Sequence, residues 1–271
     1  MKVSRISASS YSNTAPLIWS FLYGTNRGKV EVILDTAPSR SAELLAENRV
    51  DAALVPVIAY QLIENVRLFP KVCVGAKEKV KSVCLVTKGR ELRDVKSVSL
   101  DVSSKTSVAL TKIIFREFLN IEPVWTNSPP NLDAMLSDSD CALLIGDPAL
   151  LVADCGLRIA ENQSKYRVFD LAEVWKNYTN FGFVFAMWMT QRESCEIDFV
   201  SAKNEGLLHL NEIIANYENE IPLSREQFND YLTQNIAFEI DDSMQKGLQL
   251  YYQLAQKHKL IERDKPLIFV S

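Results

Sequence analysis

The chain has 271 residues, 47% of them hydrophobic and 24% charged, with a formal net charge of −4. That supplies ample material for a buried core. It gives no basic surface to argue for a nucleic acid partner, and no apolar run approaches the ~18 residues of a membrane span. Lys2 is followed at once by mixed polar and apolar residues rather than an apolar h-region, so no export signal is expected and the chain reads as cytoplasmic. Its five cysteines, Cys73, Cys84, Cys141, Cys155 and Cys195, are odd in number and form no CxxC pair. They read as reduced core residues rather than metal ligands or disulfides.

Along the chain, Val3–Ile6 alternates like a strand, and Leu17–Leu22 is an apolar helical segment. Between them stand Ser9, Ser10, Tyr11, Ser12, Asn13 and Thr14. Small hydroxyl and amide side chains thus gather where a strand hands over to a helix N-terminus. Free N–H groups and the helix dipole favour an anion there, although the same residues serve as ordinary caps. Lys29–Leu34 reads as a strand, and Pro38 opens a helix to about Glu47 with Ser39 as its cap. Asp51–Val57 is an apolar run suited to a strand buried on both faces. Val72–Gly75 and Ser82–Thr87 are further strands. This alternation implies a mostly parallel α/β sheet.

A second unit starts near Lys88. Lys96–Leu100 is a strand, and Asp101–Ser107 is a second hydroxyl-rich turn carrying Ser103, Thr106 and Ser107. A helix follows with Leu110, Ile113, Ile114 and Phe118 on one face. Val124–Trp125 is a short strand, Leu132–Leu136 starts a helix, and Cys141–Gly146 is a buried strand ending at Gly146-Asp147-Pro148. Phe181–Thr190 reads as a long strand bridging two lobes. Trp175, Phe181, Phe183 and Trp188 either wall an apolar pocket or sit in the core. The rest is helical: Phe199–Tyr217 as one helix, a second opened by the capping box Ser224–Gln227, and a third over Asp242–Lys259. Leu267–Val270 is the only strand-like segment there.

Two lobes are expected, one from residues 1–87 with 191–271 and the other from 88–190, crossing near 87–90 and 185–190. Ligands of open α/β sheets bind beyond the carboxyl ends of the strands. The turn at Ser10, Tyr11 and Thr14 would then face the turn at Ser103, Thr106 and Ser107 across a cleft, with Gly146 and Asp147 below. Opposed helix N-termini and hydroxyls suit a small ligand with two carboxylates. Arg40 and Lys105 either add charge or are solvated. Both histidines, His209 and His258, fall in the tail, which disfavours a Ser-His-Asp triad and a histidine metal site. Nothing resembles a GxGxxG or GxxxxGK[ST] nucleotide loop.

Several blocks, in order, carry a family resemblance: Ser10–Leu17, against the signature SYLNTxPL; Pro38-Ser39-Arg40; Asp51–Pro56; Lys81–Leu85; Asp101–Leu110; Leu144–Leu150; Asp170–Trp175; and Phe183–Trp188. Together they resemble the chorismate dehydratases of the futalosine route to menaquinone over residues 3 to about 190. Ser12 stands where a larger apolar residue is usual, and Lys105 where arginine is. The resemblance implies a two-lobed periplasmic-binding-protein-like (type II) fold used as an enzyme, and conversion of chorismate to 3-[(1-carboxyvinyl)oxy]benzoate plus water without a cofactor. It implies Asn13 and Ser82 as the catalytic pair, Asn13 positioning the substrate or its leaving hydroxyl and Ser82 holding a carboxylate. The base is either the substrate's enolpyruvyl carboxylate or Asp147. Ser10, Tyr11, Thr14, Ser39, Ser103, Thr106, Ser107, Gly146 and Asp147 are the expected substrate-binding residues. Self-association as a homodimer is left open. The rival readings are the later enzyme of that route, which makes 1,4-dihydroxy-6-naphthoate, and a non-catalytic binder of small anions.

Overall fold

The computed structural model describes residues 3–159, 166–221 and 223–270. In chain order its elements begin with β1 (Ser4–Ser9), α1 (Ala15–Leu22), β2 (Val30–Asp35), α2 (Pro38–Ala46), β3 (Ala52–Pro56), α3 (Ala59–Leu62), β4 (Arg67–Ala76) and β5 (Val83–Thr87). Then come β6 (Ser97–Asp101), α4 (Lys105–Ile113), β7 (Val124–Ser128), α5 (Leu132–Asp138), β8 (Cys141–Ile145), α6 (Gly146–Ile159), β9 (Arg167–Asp170), α7 (Leu171–Thr179) and β10 (Phe183–Thr190). The tail is α8 (Phe199–Leu208), α9 (Leu210–Tyr217), α10 (Arg225–Asp230) and α11 (Asp242–Lys257).

These strands form two five-stranded sheets, ordered β2-β1-β3-β10-β4 and β7-β6-β8-β5-β9. Both are mixed rather than mostly parallel. β1 runs parallel to β2 and β3, but β10 is antiparallel to β3 and β4. Likewise β6 is parallel to β7 and β8, while β5 is antiparallel to β8 and β9. Sheet membership therefore differs from the expected division of the chain. β5 lies in the second sheet and β10 in the first, so the crossings are residues 77–82 and 180–182. Both strands are apolar runs buried along nearly their whole length, and such runs carry no local mark of which sheet receives them.

The apolar pattern follows the pleat. Leu85, Leu143 and Ile145 enter the main core, whereas Cys84, Val86, Ala142 and Leu144 join a smaller cluster with Met135 and Leu136 on the opposite face. Trp175, Phe183 and Trp188 are fully buried in the main core. Cys73, Cys84 and Cys141 are buried free thiols and Cys195 is a half-buried one; the side chain of Cys155 lies outside the described part of the structure.

Several local features differ from the sequence reading. α2 takes Ala37 as its cap residue, because Pro38 fixes the first helical position; Ser39 lies inside the first turn and caps nothing. The expected helix 199–217 breaks at His209, which ends α8 and starts α9 while its ring stacks on Trp19 at 3.8 Å. β9 pairs with β5 without a strong apolar signal of its own. The segment 267–270 contributes only a bridge between Leu68 and Phe269.

The last helix straddles both lobes. α11 packs on β10 and α4. Its Tyr252 hydroxyl donates to the Val57 carbonyl of the first lobe at 2.7 Å, and its Tyr251 hydroxyl to the Thr106 carbonyl of the second at 3.1 Å. A side chain on Gly247 would strike the Gly182 carbonyl at 2.1 Å, so glycine is what lets α11 lie directly on the second crossing. No helix among the described residues is long and apolar enough to cross a membrane.

Candidate active site

In the first lobe, β1 ends at Ser9 and the chain turns through Tyr11 into a short 3-10 turn, Ser12–Thr14, before α1. The turn is locked from within. The Thr14 N–H donates to the Tyr11 carbonyl at 2.9 Å, and the Thr14 hydroxyl lies 2.6 Å from the Ser9 carbonyl and 2.8 Å from that of Tyr11. With these groups occupied, Asn13 is the amide the turn presents to the cleft.

The facing turn of the second lobe is built on Asp101, which ends β6 fully buried. Its carboxylate accepts from the Ser103 N–H at 2.9 Å, from the Ser103 hydroxyl, and from the Ile145 N–H at 3.3 Å. Burial pushes the Asp101 carboxyl above its ordinary pKa, and the Ser103 and Ile145 bonds hold it back. Ser104 caps α4 by accepting from the Ser107 N–H at 3.1 Å. The first-turn N–H groups of Lys105 and Thr106 have no carbonyl of their own helix to bond.

The lobes meet around these turns. Ser12 donates to Asp147 through its hydroxyl at 2.5 Å and through its N–H, 3.2 Å from each carboxylate oxygen. The Tyr11 hydroxyl faces Ser103. Its ring lies against Gly146, which has φ +64 and where a Cβ would stand 2.6 Å from a ring carbon. The Thr106 hydroxyl accepts from the Ile58 N–H at 3.2 Å. Burial raises the Asp147 pKa, and the bonds from Ser12 oppose that rise.

The first crossing supplies the remaining group. Asp170 accepts from the N–H of Val80 at 3.0 Å and of Lys81 at 2.6 Å, while also capping α7 through the N–H groups of Ala172 and Glu173. Lys81 takes a left-handed conformation, φ +60, and the chain turns sharply into Ser82. Ser82 is fully buried; the Asn13 amide approaches its hydroxyl at 3.5 Å, and the Gly146 N–H donates to its carbonyl at 2.7 Å.

A cleft between the lobes is lined by Ser9, Tyr11, Asn13, Thr14, Ser104 and Ser107, with apolar walls that include Leu54, Val83, Ile145 and Phe185. Among the described residues, no side chain of Asp, Glu, Lys, Arg or His lines it. Of the expected residues, Tyr11, Asn13, Thr14, Ser107 and Gly146 come together here, with Ser82 against Asn13. Ser103, Thr106 and Asp147 belong to the ties between lobes. Ser10 is exposed, its carbonyl accepting from the Tyr217 hydroxyl at 3.1 Å, and Ser39 is half-buried off the lining. Arg40 pairs with Glu43 on the surface at 2.7 Å, and Lys105 is exposed. His258 pairs with Glu117 far along the fold from this cleft.

Ser104 and Phe185 are among the lining residues outside the expected set. Ser104 was open to the sequence reading, since a serine three residues before Ser107 at a helix start is a cap signature. Phe185 was not: a register shift in β10 between Val184 and Ala186 turns Phe185 and Ala186 to the cleft, while Phe183 stays in the core. Among the described residues no group of three or more His, Cys, Asp or Glu could hold a metal ion.

The sequence model of the menaquinone biosynthesis family matches residues 4–257. A protein of Thermus thermophilus named chorismate dehydratase is 28% identical over 255 residues, 89% of this chain and 91% of that one. Among solved structures, a protein of Archaeoglobus fulgidus superposes with TM-score 0.69 at 16% identity, covering 95% of this chain and 98% of that one. The ligand-binding component of an ABC-type import system from Staphylococcus aureus gives 0.65 at 15%, covering 100% and 97%. The periplasmic aliphatic sulphonate binding protein of Escherichia coli gives 0.61 at 15%, covering 99% and 94%. The fold is thus periplasmic-binding-protein-like, with the cleft between its two lobes.

Proposed function

Since the chain belongs to the menaquinone biosynthesis family, we propose that it is a cytoplasmic chorismate dehydratase, a carbon–oxygen hydro-lyase that converts chorismate to 3-[(1-carboxyvinyl)oxy]benzoate and water. The name of its Thermus thermophilus relative supports the substrate. The observation that carries the reading is the lining of the cleft, which among the described residues offers hydroxyls, an amide and helix N-termini but no histidine, carboxylate or cation.

That inventory suits a dianion that brings its own base. The ring C–H beside the enolpyruvyl ether loses its proton to the substrate's own enolpyruvyl carboxylate. The electron pair left behind completes the aromatic ring as the neighbouring C–O bond breaks, and the departing hydroxyl takes up a proton to leave as water. Aromatisation supplies the driving force, so a weak base suffices. The protein's part is orientation and hydrogen bonding to developing charge. In this reading Asn13 donates to the leaving hydroxyl, Ser82 holds a carboxylate, and the capped N-terminus of α4, with Ser104 and Ser107, receives the other.

The test is incubation of the purified protein with chorismate, following the aromatic product by liquid chromatography. Asn13→Ala and Ser82→Ala should each lower kcat by roughly 100-fold or more, the loss typical of one donor to developing charge. Wild-type binding without turnover would refute the assignment as an enzyme, and full activity in both variants would refute these two roles.

A further inference from the structure

The helical tail brings a polar atom up behind the cleft. Tyr231 begins a wide turn, Tyr231–Asn235, that continues from α10. Asn235 ties this segment to the first crossing by donating to the Lys79 carbonyl at 3.3 Å. The Tyr231 ring is fully buried and packs on Phe228, centroids 6.1 Å apart. Its hydroxyl faces Ser82 and Asn13 and meets hydrogen-bond geometry with no group among the described residues. A buried hydroxyl left unpaired is destabilising. Phenylalanine would fill the same space without that penalty, so the position is chemically unexplained by packing alone.

Ser82 shows what the hydroxyl is for. The Ser82 hydroxyl makes only long contacts, 3.5 Å from the Asn13 amide and 3.4 Å from the Val80 carbonyl. A carboxylate in the cleft would draw the Ser82 proton toward itself and leave a Ser82 lone pair free to accept from Tyr231, whose hydroxyl faces it beside the Asn13 amide. We propose that Tyr231 is a positioning residue that donates to Ser82 when substrate is bound, completing a chain from Tyr231 through Ser82 to the substrate carboxylate. Such chains polarise and strengthen each link, and this one fixes Ser82 and Asn13 in a single arrangement. The inference rests on the chorismate dehydratase reading and adds to it a residue from a segment that carries no other part of the site.

The test is a double-mutant cycle of Tyr231→Phe with Ser82→Ala, read as kcat/KM on chorismate and as thermal stability. Tyr231→Phe should lower kcat/KM about 10- to 100-fold, in line with the effect of small misplacements at a reacting centre. Its melting temperature should stay the same or rise, because the deleted hydroxyl was unpaired. In the Ser82→Ala background the same change should have no further effect, because Tyr231 acts only through Ser82. Unchanged kinetics in Tyr231→Phe, additive losses in the cycle, or a variant that fails to fold would each overturn the inference while leaving the function standing. An inactive wild type would overturn both.

Discussion

The tie between Ser12 and Asp147 makes a measurable demand on lobe closure. Ser12→Ala deletes the 2.5 Å hydroxyl bond and leaves Asp147 with the Ser12 N–H alone, 3.2 Å from each oxygen. A hydrogen bond to a charged group contributes about 1.5–3 kcal/mol. Asp147 regains water when the lobes part, so the low end applies: about 1.5 kcal/mol, or roughly tenfold in the closure equilibrium. KM for chorismate should therefore rise up to about tenfold with kcat within about twofold, because the closed complex that reacts is unchanged. Small-angle scattering should show a larger radius of gyration for the ligand-free variant. The same contact predicts a pH dependence. Burial on closure raises the Asp147 pKa above its ordinary value, so the closed form binds the proton more tightly than the open form. Closure is then most favoured below the ordinary carboxylate pKa and is progressively lost as pH rises through the raised one. Asp147→Asn should flatten that dependence. An unchanged KM and radius in Ser12→Ala would refute the idea that this contact governs closure.

Other perturbations probe the frame around the cleft. Thr106→Val keeps the shape but strands the buried Ile58 N–H that Thr106 now satisfies; denaturant unfolding should show a loss of about 1–3 kcal/mol. Asp170→Ala frees the N–H groups of Val80, Lys81, Ala172 and Glu173. It should cost about 3 kcal/mol or more by the same measurement and lower kcat as well, since Ser82 follows directly. Gly146→Ala would put a methyl into the Tyr11 ring at a left-handed position. It should raise KM and expand the ligand-free protein in scattering.

The parts of the fold that local chemistry dictates were legible in the sequence. The turn before α1, the fully buried β3 and β8, and the box opening α10 all follow from spacing and caps, and all stand in the structure. Pairing was not legible. Val83–Thr87 and Phe183–Thr190 are apolar on both faces, so nothing in either run reports its partner strand, and each joins the sheet opposite to the one expected. The site divides the same way. Asn13 and Ser107 were visible because they sit at a helix start. Phe185 reaches the cleft through a register shift, and Tyr231 comes to lie behind Ser82 through the packing of a tail segment on a crossing. Neither event leaves a pattern in the neighbouring residues.

Two carboxylates, Asp101 and Asp147, are committed to ties around the turns of the cleft. Asp101 is occupied by Ser103 and Ile145, and Ser103 in turn faces the Tyr11 hydroxyl across the lobes. Asp147 is occupied by Ser12. Each acid therefore ends a chain of donors that pins the opening turn of one lobe to the second. In both, burial raises the pKa while the donors pull it back. A carboxylate committed in this way is poorly placed to collect a proton from a ring carbon, and no histidine lines the cleft to do so. Closure then leaves a pocket of hydroxyls, one amide and helix N-termini around the ligand. Under the proposed reaction, a carboxylate of the substrate would then serve as the base.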